Sequence, residues 1–587
     1  MKKALLIITV IAILITTMAL SACASKAVTT TGTSTWTTAT TTLTTTAPTY
    51  TMTTTATYTT APPITITTQP PATITIPGQP YPTTTTIGLA TGGAKDIGNF
   101  RENISNGYLP LPTDVTYEGL FYDYFFETGQ TEPSRKLFSP SYSYAVTHDP
   151  LSYETDYYLS VGLNSGLTEA DFQRKKLNLT IVIDNSGSMG GKYNEYYYDN
   201  SGNQVSTYAG EGIFRQTKME SANEAVVAIL DELNSQDYLS IVTFNSSATL
   251  NLPIGAVNKM DMRDIADHVM NIEAGGSTNL ESGIKTATQQ YRGLYETNSY
   301  EYENRMIIIT DAQPNTGDYS SSGFLSLITQ NAANRIYTTF IGVGVDFNSQ
   351  LIEDISKVKG ANYYTVHSPG QFRERVEEEF EYMVTPLVFN LNLYLESHGW
   401  RIEKVFGSPE ADTATGNLMH INTMFAAKSE GGENKGGIVL LKLRKTSTAT
   451  GEPVYLRVSY EDRDGHQDVS EAVIVLEERS PEYFDNTGIR KAVLLTRYAA
   501  LIQNWLIDER SHLYSTEWWP YIDEDSGIII PAGSRLSQWE RQSLSLVVSQ
   551  PYKQIFRNFY HYFEDEIYTI GDHTLGQELD ILEILSR

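Results

Sequence analysis

The sequence predicts an α/β chain, a doubly wound and mostly parallel sheet with an added β-sandwich-like domain and C-terminal helices. Three observations carry this. Residues 177 to 384 alternate apolar strand-like runs with helical periodicity, the pattern of a parallel sheet covered on both faces. Beyond Pro386 the spacing changes to period two, as antiparallel strands require, and from Tyr483 it returns to helical. The core run Leu177-Asn178-Leu179-Thr180-Ile181-Val182-Ile183 is β-branched and reads as a buried strand ending in Asp184.

Met1-Lys2-Lys3 begins with positive charge, Ala4 to Leu20 is apolar, and Leu20-Ser21-Ala22-Cys23 has the small residues of a cleavage site. This resembles a bacterial lipoprotein signal over residues 1–23, which implies lipidation at Cys23 and an extracytoplasmic chain. That chain would be anchored to the cell membrane and face the periplasm or the cell surface. Cys23 is the single cysteine, so the remaining chain can form no internal disulfide and no thiolate metal site. Residues 24–91 are rich in Thr and Pro and read as an extended, disordered stalk. A formal net charge of −27 argues against a nucleic-acid partner, which needs a basic surface.

Ordered sequence is expected from Gly92, with a segment over 92–170 that covers or flanks the next domain. It has helical spacing over Asp96–Ile104, proline breaks at Pro110 and Pro112, and strand-like alternation over His148–Leu163. The α/β domain is placed at 171–385. Its predicted strands are Tyr238–Asn245, Arg305–Asp311, Arg335–Val345 and Ala361–Val366, besides the run ending at Asp184. Its predicted helices lie near 217–234, 262–272, 280–295, 324–334, 350–359 and 370–383. A β-rich domain follows at 386–480, its strands joined by polar loops such as Glu430–Gly436, and a helical region at 481–587. The apolar stripe Ile489, Val493, Leu494, Leu501, Ile502, Trp505 and Leu506 reads as a packing face, and further helices are expected at Leu536–Phe563 and Gln577–Leu585.

The chemistry gathers at strand ends. Asp184-Asn185-Ser186-Gly187-Ser188 presents a carboxylate and two hydroxyls, and Gly187 permits a tight turn between them. Gly275-Gly276-Ser277-Thr278 precedes a helix and puts a hydroxyl on a loop, while Ile307-Ile308-Ile309-Thr310-Asp311 is a second buried strand ending in a carboxylate. If the two strands are neighbours, Asp184, Ser186, Ser188, Thr278 and Asp311 share the carboxyl edge where such sheets bind ligands. All five offer hard oxygen, the donor type that Mg²⁺ or Ca²⁺ takes. The tyrosine-rich stretch after this turn, Tyr196, Tyr197 and Tyr198 among it, is expected to rim the site, and His367 is expected at the surface.

These five positions resemble the von Willebrand factor type A fold with a metal-ion-dependent adhesion site, whose pattern is Asp-x-Ser-x-Ser, a distant Thr and a distant Asp. The resemblance implies that Ser186, Ser188 and Thr278 contact the ion directly or nearly so and that Asp184 and Asp311 act largely through water. The ion would be Mg²⁺, with Mn²⁺ or Ca²⁺ as substitutes. A protein or other acidic ligand would complete the shell with a carboxylate. The segment Asn99–Pro110, with Tyr117-Glu118 and Tyr122–Phe125, is similar to the N-terminal region of a bacterial family often labelled calcium-activated chloride channel-like. Two departures stand out: Ala312 and Gln313 where a Gly often follows the second Asp, and the insertion Gly191–Phe214. The resemblance implies an exported binding protein. The alternative is a scaffold or assembly component of a cell-envelope complex in which the metal is mainly structural. Enzyme chemistry is argued against because His-Glu-x-x-His, a Walker-type loop and Gly-x-Ser-x-Gly with an accompanying His are all missing from the sequence.

Overall fold

The strand Lys176–Asp184 forms where the β-branched run predicts it and lies inside a seven-stranded sheet. In a computed structural model, residues 86–95, 97–131, 136–205, 216–294, 300–311, 321–409, 418–446, 453–513, 536 and 540–587 are described. The leader, Cys23 and most of the stalk lie outside them. The sheet order is Gly93–Ala94, Asn362–Val366, Ile336–Val343, Tyr302–Thr310, Lys176–Asp184, Tyr238–Phe244, Ala248–Ala256. Every neighbouring pair is parallel except the last. Side chains alternate across the sheet as the two-residue period demands. Ile181 and Ile183 join the core under the helices Lys218–Asp231 and Pro369–Met383, while Val182 joins the opposite core with Ile284, Ile328 and Leu351. Fully burying one such aliphatic side chain stabilises by roughly 1.5–3 kcal/mol, so the central strand is fixed from both faces. Both edge strands of this sheet go beyond the sequence expectation: Gly93–Ala94 is only two residues long, and the mostly half-exposed residues of Ala248–Ala256 carry no continuous apolar run.

The second sheet corrects the expected domain layout. It has ten strands, and its described pairings are antiparallel. Along its main path the order is Trp400–Phe406, Ile438–Lys445, Thr155–Thr168, Thr86–Thr91, Leu418–Ala427, Pro386–Glu396, Pro453–Asp462, Gln467–Val475. Ser139–His148 adds beside Thr155–Thr168 and also pairs with Tyr483–Phe484. The 92–170 segment is therefore not a separate cover: its strands interleave with those of 386–480. Thr86–Thr91, placed in the stalk from its threonines, is a core strand with Ile87 and Leu89 buried. Threonine is β-branched, so the composition that suggests a stalk equally suits a strand. The expected polar loop 430–436 overlaps the short strand Ser429–Glu430 and contains Glu433–Lys435, the latter pairing with Phe125–Phe126.

The helices Thr487–Leu513, Gln550–Ile570 and Gly576–Ser586 close around Trp505 and Tyr498. Phe100 and Ile104 from Gly98–Ser105, and Leu120 and Phe121 from Tyr117–Tyr122, complete that core. The helix expected from Leu536 begins only at Gln550, with Pro551 in its first turn. Residues before it run irregularly and bury Arg541 against the α/β domain. Its guanidinium donates to the Phe347 carbonyl (2.6 Å), the Asp114 carboxylate (3.3 Å) and the Tyr196 hydroxyl (3.3 Å). Arg541→Ala leaves Asp114 buried without this cation, so it is expected to lower stability by about 3–5 kcal/mol. Urea unfolding followed by tryptophan fluorescence measures this, and a change below about 1 kcal/mol would show the contact to be incidental.

His367 is also a correction. It follows the strand Asn362–Val366 but is only 4% exposed, and neither ring nitrogen has a hydrogen-bond partner among the described residues. Burial, with Arg101 nearby and Asp114 opposing, pushes its pKa down to about 3. The unfolded chain then takes up a proton near pH 6.5 and the fold does not, so stability falls as pH drops from about 6.5 towards 3, by up to ~1.4 kcal/mol per pH unit. His367→Phe is expected to flatten that part of the stability–pH curve, as read from urea midpoints between pH 4 and 7.

Candidate metal centre

The strand Lys176–Asp184 has the next strand in sequence, Tyr238–Phe244, on one side and the later Tyr302–Thr310 on the other. Chain direction diverges there, the point at whose carboxyl edge sheets of this kind bind ligands. Ile183 pairs with Ile309, so Asp184 and Asp311 leave adjacent strands at nearly the same level. Both carboxylates are fully buried. Asp184 Oδ1 accepts from the Ser186 amide (2.9 Å), and its Oδ2 accepts from the Thr310 hydroxyl (2.7 Å).

Past Asp184 the chain enters a short 3₁₀ turn, Gly187–Gly190, that aims both serine hydroxyls inward. Ser186 Oγ lies 3.2 Å from Ser188 Oγ, and Ser188 Oγ donates to Asp311 Oδ1 at 3.0 Å. The Gly187 amide donates to the Gly276 carbonyl (3.0 Å) and the Gly275 amide to the Asn185 carbonyl (2.8 Å), which fastens the Thr278 loop to this turn. Gly187 is needed for close approach: a Cβ there would lie 3.1 Å from the Tyr197 hydroxyl and 3.2 Å from the Gly276 carbonyl. Gly276 is needed for its backbone, with φ at +84°. Thr278 is 3% exposed on that loop, just before the helix Leu280–Gln290. All five sequence-predicted residues are thus buried at one strand edge, and Asp184, Ser186, Ser188 and Asp311 are linked by one run of hydrogen bonds.

Three residues escaped the sequence reading. Lys218, the first residue of its helix, is fully buried and donates to Asp311 Oδ2 (3.1 Å) and to Asp346 Oδ1. Gly344 makes room for it, since a Cβ there would come within 2.8 Å of Lys218 Cε. Asp346 follows the strand Ile336–Val343 and was findable by the same signal as Asp311, an acid just beyond a buried parallel strand. Thr310 was in view beside Asp311, but nothing in its spacing says that it bonds the other aspartate. A lone lysine after a helix cap gives no sequence signal at all.

The three rim tyrosines separate. Tyr197 is half-buried with its hydroxyl beside Gly187, and its amide donates to Asp346 Oδ2 (3.2 Å). Tyr196 and Tyr198 do not face the site. Tyr196 packs on Tyr108 (4.8 Å between rings) and donates to Asn103, while Tyr198 donates to Glu540 (2.8 Å). They fasten the insertion to the flanking segments, because a tyrosine ring buries well where its hydroxyl finds a partner.

The electrostatics fit a cation. Burial, then the charge of Asp311, pushes Asp184 up to about 7 despite hydrogen bonds from Ser186 and Thr310. Asp311 is also raised, by burial and by Asp346, with Lys218 opposing. Lys218 is raised by Asp346 and Asp311, which outweigh its burial. One ammonium thus pairs with two carboxylates, Asp311 and Asp346, while Asp184 feels the charge of Asp311. The surplus negative charge and the hard-oxygen donors suit Mg²⁺ or Ca²⁺ rather than a softer ion. Among the described residues no three His, Cys, Asp or Glu side chains gather as a metal site, so a cation held here would depend on the hydroxyls.

A doubly wound sheet with acids and hydroxyls at this edge defines the class. Residues 178–378 match the von Willebrand factor type A domain, and the chain carries such a domain. It is 21% identical over 254 residues to human inter-alpha-trypsin inhibitor heavy chain H4, covering 42% of this chain and 23% of that protein. It is 22% identical over 227 residues to an uncharacterized protein of Synechocystis, covering 38% and 46%. The chain thus spans about a quarter of the length of the heavy chain and under half of the cyanobacterial protein. Among solved structures, a von Willebrand factor type A protein from Catenulispora acidiphila aligns with TM-score 0.43 at 14% identity, over 66% of this chain and 84% of that one.

Proposed function

We propose that Asp184, Ser186, Ser188, Thr278 and Asp311 form a metal-ion-dependent adhesion site. It would hold Mg²⁺, with Mn²⁺ or Ca²⁺ as substitutes, and bind the carboxylate of a protein or other acidic ligand. The observation that carries this reading is the hydrogen-bonded line Ser186–Ser188–Asp311 beside a buried Asp184. Domains of this type typically mediate protein interactions and adhesion. The ion would offset the buried negative charge and present a ligand position to the partner. Ser186, Ser188 and Thr278 would hold it, while Thr310 and Lys218 orient the two aspartates. The leader ending at Cys23 supports lipid anchoring outside the cytoplasm, with the stalk as a tether. Among the described residues no helix is long and apolar enough to cross a membrane.

A second reading is a scaffold in which the metal is mainly structural. One observation favours it: Lys218 already supplies a buried positive charge to Asp311. Capture of cell-surface proteins by the purified chain, with Mg²⁺ and with EDTA, separates the two. Capture that needs Mg²⁺ and is lost in Asp184→Ala supports adhesion; capture that survives EDTA supports the scaffold.

A further inference from the structure

At the amino edge of the parallel sheet, the end opposite the carboxylates, a cavity of about 690 Å³ opens between the helices Ser321–Ala333 and Ser349–Ser356 and the antiparallel sheet. Its volume falls in the range that takes a small organic ligand. Its apolar wall includes Tyr337 and Phe389, whose rings lie 5.4 Å apart, both at least nine-tenths buried. Four basic residues line it, Arg335, Lys357, Lys359 and Arg463, against two acids, Asp354 and Glu461. In a chain of net charge −27 this local excess of positive charge is against the trend.

The two lysines are already matched. Lys359 pairs with Glu461 (3.2 Å) and Lys357 with Asp354 (3.6 Å). The guanidinium groups of Arg335 and Arg463 form no ion pair or side-chain hydrogen bond among the described residues, although Arg463 lies near enough to Glu303 to act on its charge. Arg335 also sits where a large residue is costly: it closes the helix Ser321–Ala333 in the left-handed region, with φ at 57°, a position that favours glycine. Asn390, which holds Glu461 in the wall at 2.8 Å, has positive φ as well. Such backbone strain is concentrated at binding sites. Two planar guanidiniums outside any ion pair, beside an aromatic wall, are the complement of a carboxylate on an apolar body.

We infer that this cavity binds a small amphipathic carboxylate, its acid group held by Arg335 and Arg463 and its apolar part against Tyr337 and Phe389. The site is separate from the metal centre and stands whether or not that centre binds an ion.

The test is calorimetric titration of the purified full chain with decanoate, decanol and acetate. Decanoate is expected to bind at one saturable site, and decanol and acetate at least tenfold more weakly, because each lacks half of the complement. Arg335→Gly relaxes the backbone while removing the charge, so it is expected to keep or raise the thermal midpoint and to weaken decanoate at least tenfold, more so with Arg463→Ala. Lys285→Ala, an exposed lysine on another helix, is expected to bind as wild type. Absence of saturable decanoate binding, decanol binding as tightly as decanoate, or a double variant that binds like wild type would each overturn the inference.

Discussion

Asp184→Asn is expected to weaken Mg²⁺ or Mn²⁺ binding by about 100-fold, ~2.8 kcal/mol, while leaving the fold intact. Asparagine keeps the shape and an acceptor for the Ser186 amide, and its nitrogen can donate to Thr310 where the carboxylate accepted. What it removes is one of the two carboxylates facing the proposed ion. Calorimetry on the full chain reads the loss directly; an unchanged affinity would remove Asp184 from the ligand set. The wild type should also show a pH signature. In the fold without metal, Asp184 titrates near 7, above its ordinary 3.8, so this fold binds a proton that the unfolded chain releases. Its stability therefore declines as pH rises from about 4 to 7. A cation reverses that burden, so the rise in thermal midpoint on adding Mg²⁺ should be larger at pH 8 than at pH 5.5. Asp184→Asn should lose most of that difference.

Lys218→Met carries the second large effect. The ammonium bridges Asp311 and Asp346 in a region without solvent. Methionine fills similar space but leaves both carboxylates without their cation. Breaking a buried pair in this way costs about 3–5 kcal/mol, so the unfolding free energy from urea titration without metal is expected to fall by that amount. The variant should also gain more from Mg²⁺ than wild type does, because the ion then meets uncompensated charge. A loss of stability with no larger Mg²⁺ increment would mean that Lys218 acts on Asp346 alone.

How far the sequence reached depended on whether a residue's role was local. The parallel strands were legible because Leu177–Ile183 and Ile307–Ile309 must be apolar on both faces, and the helices because their stripes repeat every three to four residues. The five site residues were legible because strand ends and a helix-preceding loop announce their positions. Lys218 was not, since its partners lie 93 and 128 residues away and only tertiary packing brings them together. Nor was the interleaving of Thr86–Thr91 and Thr155–Thr168 with strands beyond 386, which sequence spacing cannot encode. Tyr196 and Tyr198 misled because tyrosine serves both a binding rim and a buried anchor. Their contacts with Asn103 and Glu540 decide for the anchor.

The central claim is that these oxygens hold a divalent cation. The most direct test is an anomalous difference map from crystals of the protein grown with Mn²⁺. The account predicts a strong peak bounded by the side chains of Asp184, Ser186, Ser188, Thr278 and Asp311. A map with no peak there, with the Ser188–Asp311 hydrogen bond still closed in the presence of saturating Mn²⁺, would contradict it.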